Sequence, residues 1–186
     1  MPGNTINGIN SGHGPYTSFN EAKERLFDVD VKFTANYGPV KFGDTKEGGM
    51  VSVRVADMLR VRGGTGTITN SEGGVGESET WGRPAAWCDY SGTIEGAGVR
   101  GIAVFDSPSS FRYPTHWHVR DYGLMGANAF GYSSFYDGAK NGDHTVEEGE
   151  TLSFSYRVYV HSGDVKEADV AQYYNDFANP PAVTIE

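Results

Sequence analysis

Apolar and polar side chains alternate without a break through TLSFSYRVYVH, residues 151–161. In an extended chain successive side chains point to opposite faces, so this pattern gives one apolar and one polar face. The apolar face would carry Leu152, Phe154, Tyr156, Val158 and Val160. This period of two is that of a half-buried strand and not of a helix, so the chain must build a sheet around a core.

Three more segments indicate strands, and many short turn sequences separate them. LFDVDVKFTA and MVSVRV alternate in the same way, whereas VRGIAVFD is apolar on both faces, as a central strand would be. Only the C-terminal part predicts a helix, which begins at a capping box of Asp164 and Glu167 and stops before the prolines at 180–181. We therefore predict an all-β antiparallel β-sandwich with one C-terminal helix. It would form one domain over residues 21–186 after an irregular lead-in at 1–20.

Charge and composition exclude several classes of partner. A net charge of -9 argues against nucleic acid and anionic membranes, which require a basic surface. No apolar run approaches the roughly 18 residues of a membrane helix. The first residues lack the pattern of a signal peptide. We therefore expect either a cytoplasmic protein or a secreted one whose leader has been removed. The single cysteine, Cys88, excludes an internal disulfide and is typical of a small buried apolar residue.

Two histidines separated by one residue form the most distinctive polar motif, PTHWHVRDYG at 114–123. In a strand His116, His118 and Arg120 would share one face. Three interpretations remain open: a divalent metal site, an acid/base centre, or a polar sheet face packed under a loop. A metal site would need a third ligand, for which the candidates are Glu47, Asp89, Asp121, His144 and His161.

Two other polar clusters are candidates for the same site. Lys46 and Glu47 lie between glycines in GDTKEGG, where they form either a charged hairpin turn or one side of a cleft. Further along, Trp87 and Asp89 stand among other aromatic and charged residues. Such a group is typical of a sugar site, where rings cover C–H faces and polar groups bind hydroxyls, but also of a core.

Several of these runs together resemble a known bacterial family. They are FGDTKEGG, NSEGG-x-GE, WGRPAAWCDYSG, GIAVFDSPSSFRYPTHWHVRDYGLMGANAFG and YRVYVHSGD. The chain resembles the soluble proteins of unclear function labelled methane oxygenase (PmoA)-like. The resemblance implies a galactose-mutarotase-like β-supersandwich that handles carbohydrate, and a chain lacking the leading strands of longer members. The oxygenase label does not carry over, because the membrane oxygenase subunit is a bundle of membrane helices, but it keeps a metal site in view.

These observations lead to one functional expectation and two alternatives. We expect a sugar or glycan ligand on a concave sheet face, with acid/base chemistry such as mutarotation, epimerisation or β-elimination. The expected catalytic residues are His116, His118, Arg120 and Glu47. The expected substrate-binding residues are Lys46, Trp87, Asp89, Asp121, Arg157, Tyr159 and His161. The alternatives are a metal-dependent enzyme using His116 and His118, and a non-enzymatic module that binds a partner or assembles into homo-oligomers.

Overall fold

A computed structural model describes residues 24–180, so the predicted lead-in at 1–20 lies outside the described residues. Ten strands dominate this part of the chain. They are β1 (Arg25–Thr34), β2 (Val40–Phe42), β3 (Val51–Arg54), β4 (Thr67–Asn70), β5 (Trp87–Ile94), β6 (Gly98–Asp106), β7 (His116–Val119), β8 (Leu124–Asn128), β9 (His144–Val146) and β10 (Thr151–Ser162). The helices are α1 (Glu77–Thr80), α2 (Tyr132–Phe135) and α3 (Val170–Ala178), with a 3₁₀ turn at Asp57–Leu59.

The strands form three antiparallel sheets. A five-stranded sheet has the order β1-β10-β6-β5-β4, a three-stranded sheet the order β3-β8-β7, and β2 pairs with β9. The segment that alternates most regularly in the sequence is β10, the longest strand, and it pairs with β1 and β6. The predicted central strand is β6, which lies in the middle of its sheet. The all-β antiparallel sandwich is therefore confirmed.

The main core lies between the five-stranded and the three-stranded sheets. The large sheet contributes Phe154 and Tyr156, which the alternation in β10 places on the inner face. The small sheet contributes Trp117, Val119 and Met125. All five side chains are buried, and the Trp117 indole N–H donates to the Ala85 carbonyl at 2.9 Å. The inner face of the large sheet also carries the buried Asp106, which lies opposite Tyr156.

Helix α3 covers the outer face of the five-stranded sheet. A second apolar cluster forms beneath it, in which Trp87, Phe105 and Tyr159 pack against Val170. The predicted capping box forms: the Asp164 carboxylate accepts from the backbone N–H of Glu167, and the Glu167 carboxylate accepts from that of Asp164. The regular helix nevertheless begins only at Val170, since turns occupy residues 165–169. Across residues 24–180, no helix is long and apolar enough to cross a membrane.

Candidate functional site

Strand β7 places His116 and His118 on the outer face of the three-stranded sheet, because Trp117 and Val119 between them enter the core. The predicted shared face is therefore confirmed. Both histidine side chains are nonetheless buried, at 5% and 4% exposed. Side chains from the 43–49 loop, α1 and α2 contact this face of the sheet and supply the groups that cover the two rings.

Trp81 determines which nitrogen of His118 carries the proton. The Trp81 indole N–H lies 3.1 Å from His118 Nδ1, and an indole nitrogen can only donate. Nδ1 is therefore the acceptor, and the proton of the neutral ring lies on Nε2. His118 Nε2 is buried and has no hydrogen-bond partner in the described part of the chain. The nearby carboxylate oxygen Oε2 of Glu47 lies 3.6 Å away, which leaves a buried donor unpaired beside an acid.

The surroundings of His118 keep its ring neutral. Burial lowers the pKa of His118 below its ordinary value, since desolvation disfavours the charged ring. The cations of Arg120 and Lys46 act in the same direction, whereas the carboxylates of Glu47 and Glu77 oppose it. The Trp81 hydrogen bond is also available only to the neutral form. At neutral pH His118 is thus a hydrogen-bond donor through Nε2.

Glu77 of α1 holds the arginine next to this ring. Its Oε1 lies 3.0 Å from Arg120 Nε, and its Oε2 accepts from the Asp121 backbone N–H at 2.6 Å. The Arg120 guanidinium also lies 5.6 Å from the centre of the Tyr122 ring. The Asp121 side chain points instead toward Arg62, at 3.6 Å. The sequence predictions included Arg120 and Asp121 but missed Glu77. Trp81 begins the aromatic run WGRPAAWCDYSG, from which only Trp87 and Asp89 were predicted to bind substrate.

The 43–49 loop brings Glu47 to His118 because it is anchored on both sides. The Asp44 carboxylate accepts from the Ser133 backbone N–H at 2.8 Å and from the Ser133 hydroxyl. The Asn128 side-chain amide of β8 donates to the Thr45 carbonyl at 2.9 Å. The Glu47 side chain remains 62% exposed. The predicted hairpin turn is wrong, because the loop joins β2 and β3, which pair with β9 and β8 in different sheets. The loop instead lies beside His118, and Lys46 is part of it.

His116 is engaged differently although it lies two residues away. Its Nε2 forms a 2.9 Å hydrogen bond with the Tyr136 hydroxyl, and its ring stacks on Phe135 with 5.6 Å between ring centres. Burial lowers the pKa of His116 to about 4, and the cations of Lys140 and Arg112 contribute. The ring is therefore a neutral part of the aromatic cluster on α2.

The predicted metal site does not assemble. Within residues 24–180 no group of three or more His, Cys, Asp or Glu side chains is placed to hold a metal ion. Each ring keeps one nitrogen without a partner in this part of the chain, but the Trp81 N–H at His118 Nδ1 places the proton on Nε2, so the neutral His118 ring has no lone pair there for a metal ion. Of the candidate third ligands, His144 packs on Phe111, with 4.4 Å between ring centres. Within the described residues no third ligand is therefore placed to bind a metal ion together with the two histidines.

The expectation that the His116 strand and the RVYVH strand form one concave face is wrong. His161 belongs to β10 of the five-stranded sheet, and its side chain lies on the face opposite Tyr156. His118 lies on the outer face of the other sheet. The whole core separates the two. Alternation assigns the faces of a single strand, but it does not determine which strands are neighbours.

His161 forms a buried pair with Asp89 instead. Its Nε2 lies 2.7 Å from Asp89 Oδ2, and both side chains are fully buried. Nδ1 donates to the Gly163 carbonyl at 3.2 Å, since a carbonyl can only accept. Burial raises the pKa of Asp89, against the opposing hydrogen bond and charge of His161. The imidazole lies on Gly101, where an added Cβ would come within 2.2 Å of Cε1.

The other predicted binding residues on this sheet contact neighbouring parts of the fold. Trp87 packs in the cluster beneath α3. The Tyr159 hydroxyl donates to the Ala168 carbonyl at 3.2 Å. Arg157 donates twice to the Asp28 carboxylate, at 2.6 and 2.8 Å. These side chains are therefore distant from His118 and bonded within their own sheet and helix.

The chain belongs to a family of unknown function (DUF6807), whose sequence model matches residues 15–175. No curated protein and no solved structure matches the chain. The resemblance to methane oxygenase (PmoA)-like proteins with a mutarotase-like fold is therefore wrong as an assignment, because the matching family carries neither description.

Proposed function

We propose that the protein binds a sugar or similar polyhydroxylated molecule at the His118 site and transfers a proton on it. The observation that supports this is the His118 Nε2–H, a buried donor without a protein partner, 3.6 Å from the Glu47 carboxylate. Leaving a buried donor unpaired costs roughly 1–3 kcal/mol, so such a group is expected to meet a ligand.

The geometry suggests a distinct role for each group. His118 would donate its Nε2 proton to a ligand oxygen and stabilise negative charge there, as a preorganised neutral donor does. It would not act as a base through Nε2, because Nδ1 is occupied by Trp81 and the ring would have to become an anion. Glu47 is exposed and would take the proton from the ligand. Arg120, held by Glu77, would add positive charge beside the developing anion.

The surrounding side chains suit a hydroxylated ligand. Charged donors and acceptors lie close together around His118, and hydroxyl groups can pair with both kinds. Trp81 and Tyr122 offer aromatic surface next to the charged groups, the combination that sugar sites use for C–H faces. If the same site binds a sugar without transferring a proton, the protein is a binding module. Measuring both binding and turnover distinguishes this function from that of an enzyme.

The test is NMR of the full chain with a panel of free and 3-oxidised sugars, which reports binding, anomer exchange and elimination together. We expect His118→Ala and Glu47→Gln each to lower turnover by about 10²–10⁴-fold, the usual contribution of a positioned proton-transfer group. The matched controls are His144→Ala and Glu148→Gln, whose side chains lie outside the site.

Two results would overturn the proposal. One is full turnover in both His118→Ala and Glu47→Gln. The other is an absence of both binding and turnover across the whole panel with folded wild-type protein. A third result would support only part of the proposal: the wild type binds a sugar without turnover, and His118→Ala no longer binds it. The ligand site would then stand, and the proposed proton transfer would be wrong.

A further inference from the structure

We infer that two copies of this chain associate through β1, antiparallel, with Val31 facing Val31 of the second copy. Strand β1 is an edge of the five-stranded sheet, and within residues 24–180 no strand pairs with its outer side. It is ten residues long, about 33 Å at the usual rise of a strand. An edge of that length exposes backbone donors and acceptors that another strand can satisfy.

The side chains along this edge are more apolar than an exposed strand requires. Leu26, Phe27 and Phe33 are 42%, 46% and 40% exposed. Phe27 and Phe33 lie on the same side of the strand as Val29 and Val31, which pack against the core. Phe33 also contacts Phe42 of β2, with 5.3 Å between ring centres. A second β1 strand beside the first would reduce the exposure of Phe27 and Phe33 to water.

The charges of β1 select one register of self-pairing. A two-fold axis perpendicular to the sheet keeps every side chain on its own face, so only residues of the same face meet. When the axis passes through Val31, Asp30 of each copy lies opposite Lys32 of the other copy, which gives two pairs of opposite charge. When the axis passes through Asp30 or Lys32, that residue lies opposite the same residue of the other copy, and like charges directly opposite destabilise a sheet. Asp28 is already neutralised by Arg157 within the chain.

The same register also matches the apolar face. With Val31 on the axis, Val29 lies opposite Phe33 and Phe27 lies opposite Ala35 of the second copy. Cross-strand pairs of an aromatic with a β-branched residue are among the stabilising ones. Charge and apolar matching thus agree on a single arrangement, which would join two five-stranded sheets into one of ten strands.

A charge swap tests this register in the full chain. Asp30→Lys and Lys32→Asp each replace two attractive contacts per dimer by two repulsive ones. We expect the dimer dissociation constant to rise roughly tenfold or more in each single variant. The double variant Asp30→Lys/Lys32→Asp restores opposite charges and should return it close to the wild-type value. Analytical ultracentrifugation measures the constants, and circular dichroism checks that each variant is folded.

A cysteine scan provides a second readout. Val31→Cys should form a disulfide between copies on mild oxidation, because directly opposite residues have Cα atoms about 4.5–5.5 Å apart. Asp30→Cys is the matched control. Position 30 of one copy lies opposite position 32 of the other, so the two cysteines at position 30 would be too far apart to form a disulfide. The native Cys88 is buried and should not interfere. A monomeric wild type at high concentration, a double variant as weak as the singles, or cross-linking at position 30 in place of 31 would overturn the inference.

Discussion

His118 and His161 are both almost completely buried, yet the two sheets use their ring nitrogens in opposite ways. On the three-stranded sheet, Trp81 occupies one nitrogen of His118 and the other has no partner in the described chain. On the five-stranded sheet, both nitrogens of His161 are bonded, one to Asp89 and one to Gly163.

The difference separates a ring that keeps an unpaired donor from one whose two nitrogens are both bonded within the fold. Burial alone does not distinguish them, since the exposure of both is below a twentieth. What distinguishes them is the unfilled hydrogen bond and the exposed acid beside it, Glu47 for His118. At His161 the acid is as buried as the ring. Three substitutions can break or sharpen this contrast.

Asp89→Ala should have the largest effect on stability. It leaves the His161 ring buried without its partner, and breaking a buried pair in this way costs about 3–5 kcal/mol. Urea unfolding followed by fluorescence gives the free energy of unfolding. Glu47→Ala is the control, because it removes an exposed acid beside a histidine and should cost less than about 1 kcal/mol. Equal losses in the two variants would contradict the contrast.

His116→Phe should change how stability depends on pH. The folded pKa of His116 is about 4, below the ordinary 6.5, so the unfolded chain takes up the proton first as the pH falls. Relative to the variant, the wild type should therefore lose up to about 3 kcal/mol between pH 6.5 and pH 4. The quantity to measure is the difference in free energy of unfolding between the wild type and the variant at each pH. Asp106, whose pKa is raised to about 6, makes both proteins more stable as the pH falls, and this contribution cancels in the difference. A difference that is constant with pH would refute this account.

Trp81→Phe should have the smallest effect on stability and the most specific effect on His118. Loss of one hydrogen bond costs about 1 kcal/mol. Because the indole bonds only the neutral ring, we expect the pKa of His118 to rise and the proton to be shared between its nitrogens. Nitrogen-15 NMR of the histidines measures both. Trp87→Phe, beneath α3, is the control and should leave the His118 signals unchanged.

The sequence predicted what depends on neighbours along the chain. Alternation in β10 identified the inner residues Phe154 and Tyr156, and the spacing of His116 and His118 gave their common face. The capping contacts of Asp164 were also predicted, although the helix begins later.

What it did not predict depends on long-range pairing. His161 was expected beside His118, but β10 pairs with β1 and β6, whereas β7 pairs with β8. Pairing depends on the packing of whole sheets, and no period in the sequence encodes it. Glu77 and Trp81 lie in and just after a four-residue helix, too short to give a periodic signal. Both supply contacts that define the state of the His118 site.

The contact between His161 and Gly101 has a consequence for how related chains can vary. The imidazole occupies the space that any side chain at position 101 would need. A homologue with alanine or a larger residue at 101 is therefore expected to carry a smaller residue at 161 and to have lost the acid at 89. The three positions should change together through evolution, even though 60 residues of sequence separate the glycine from the histidine.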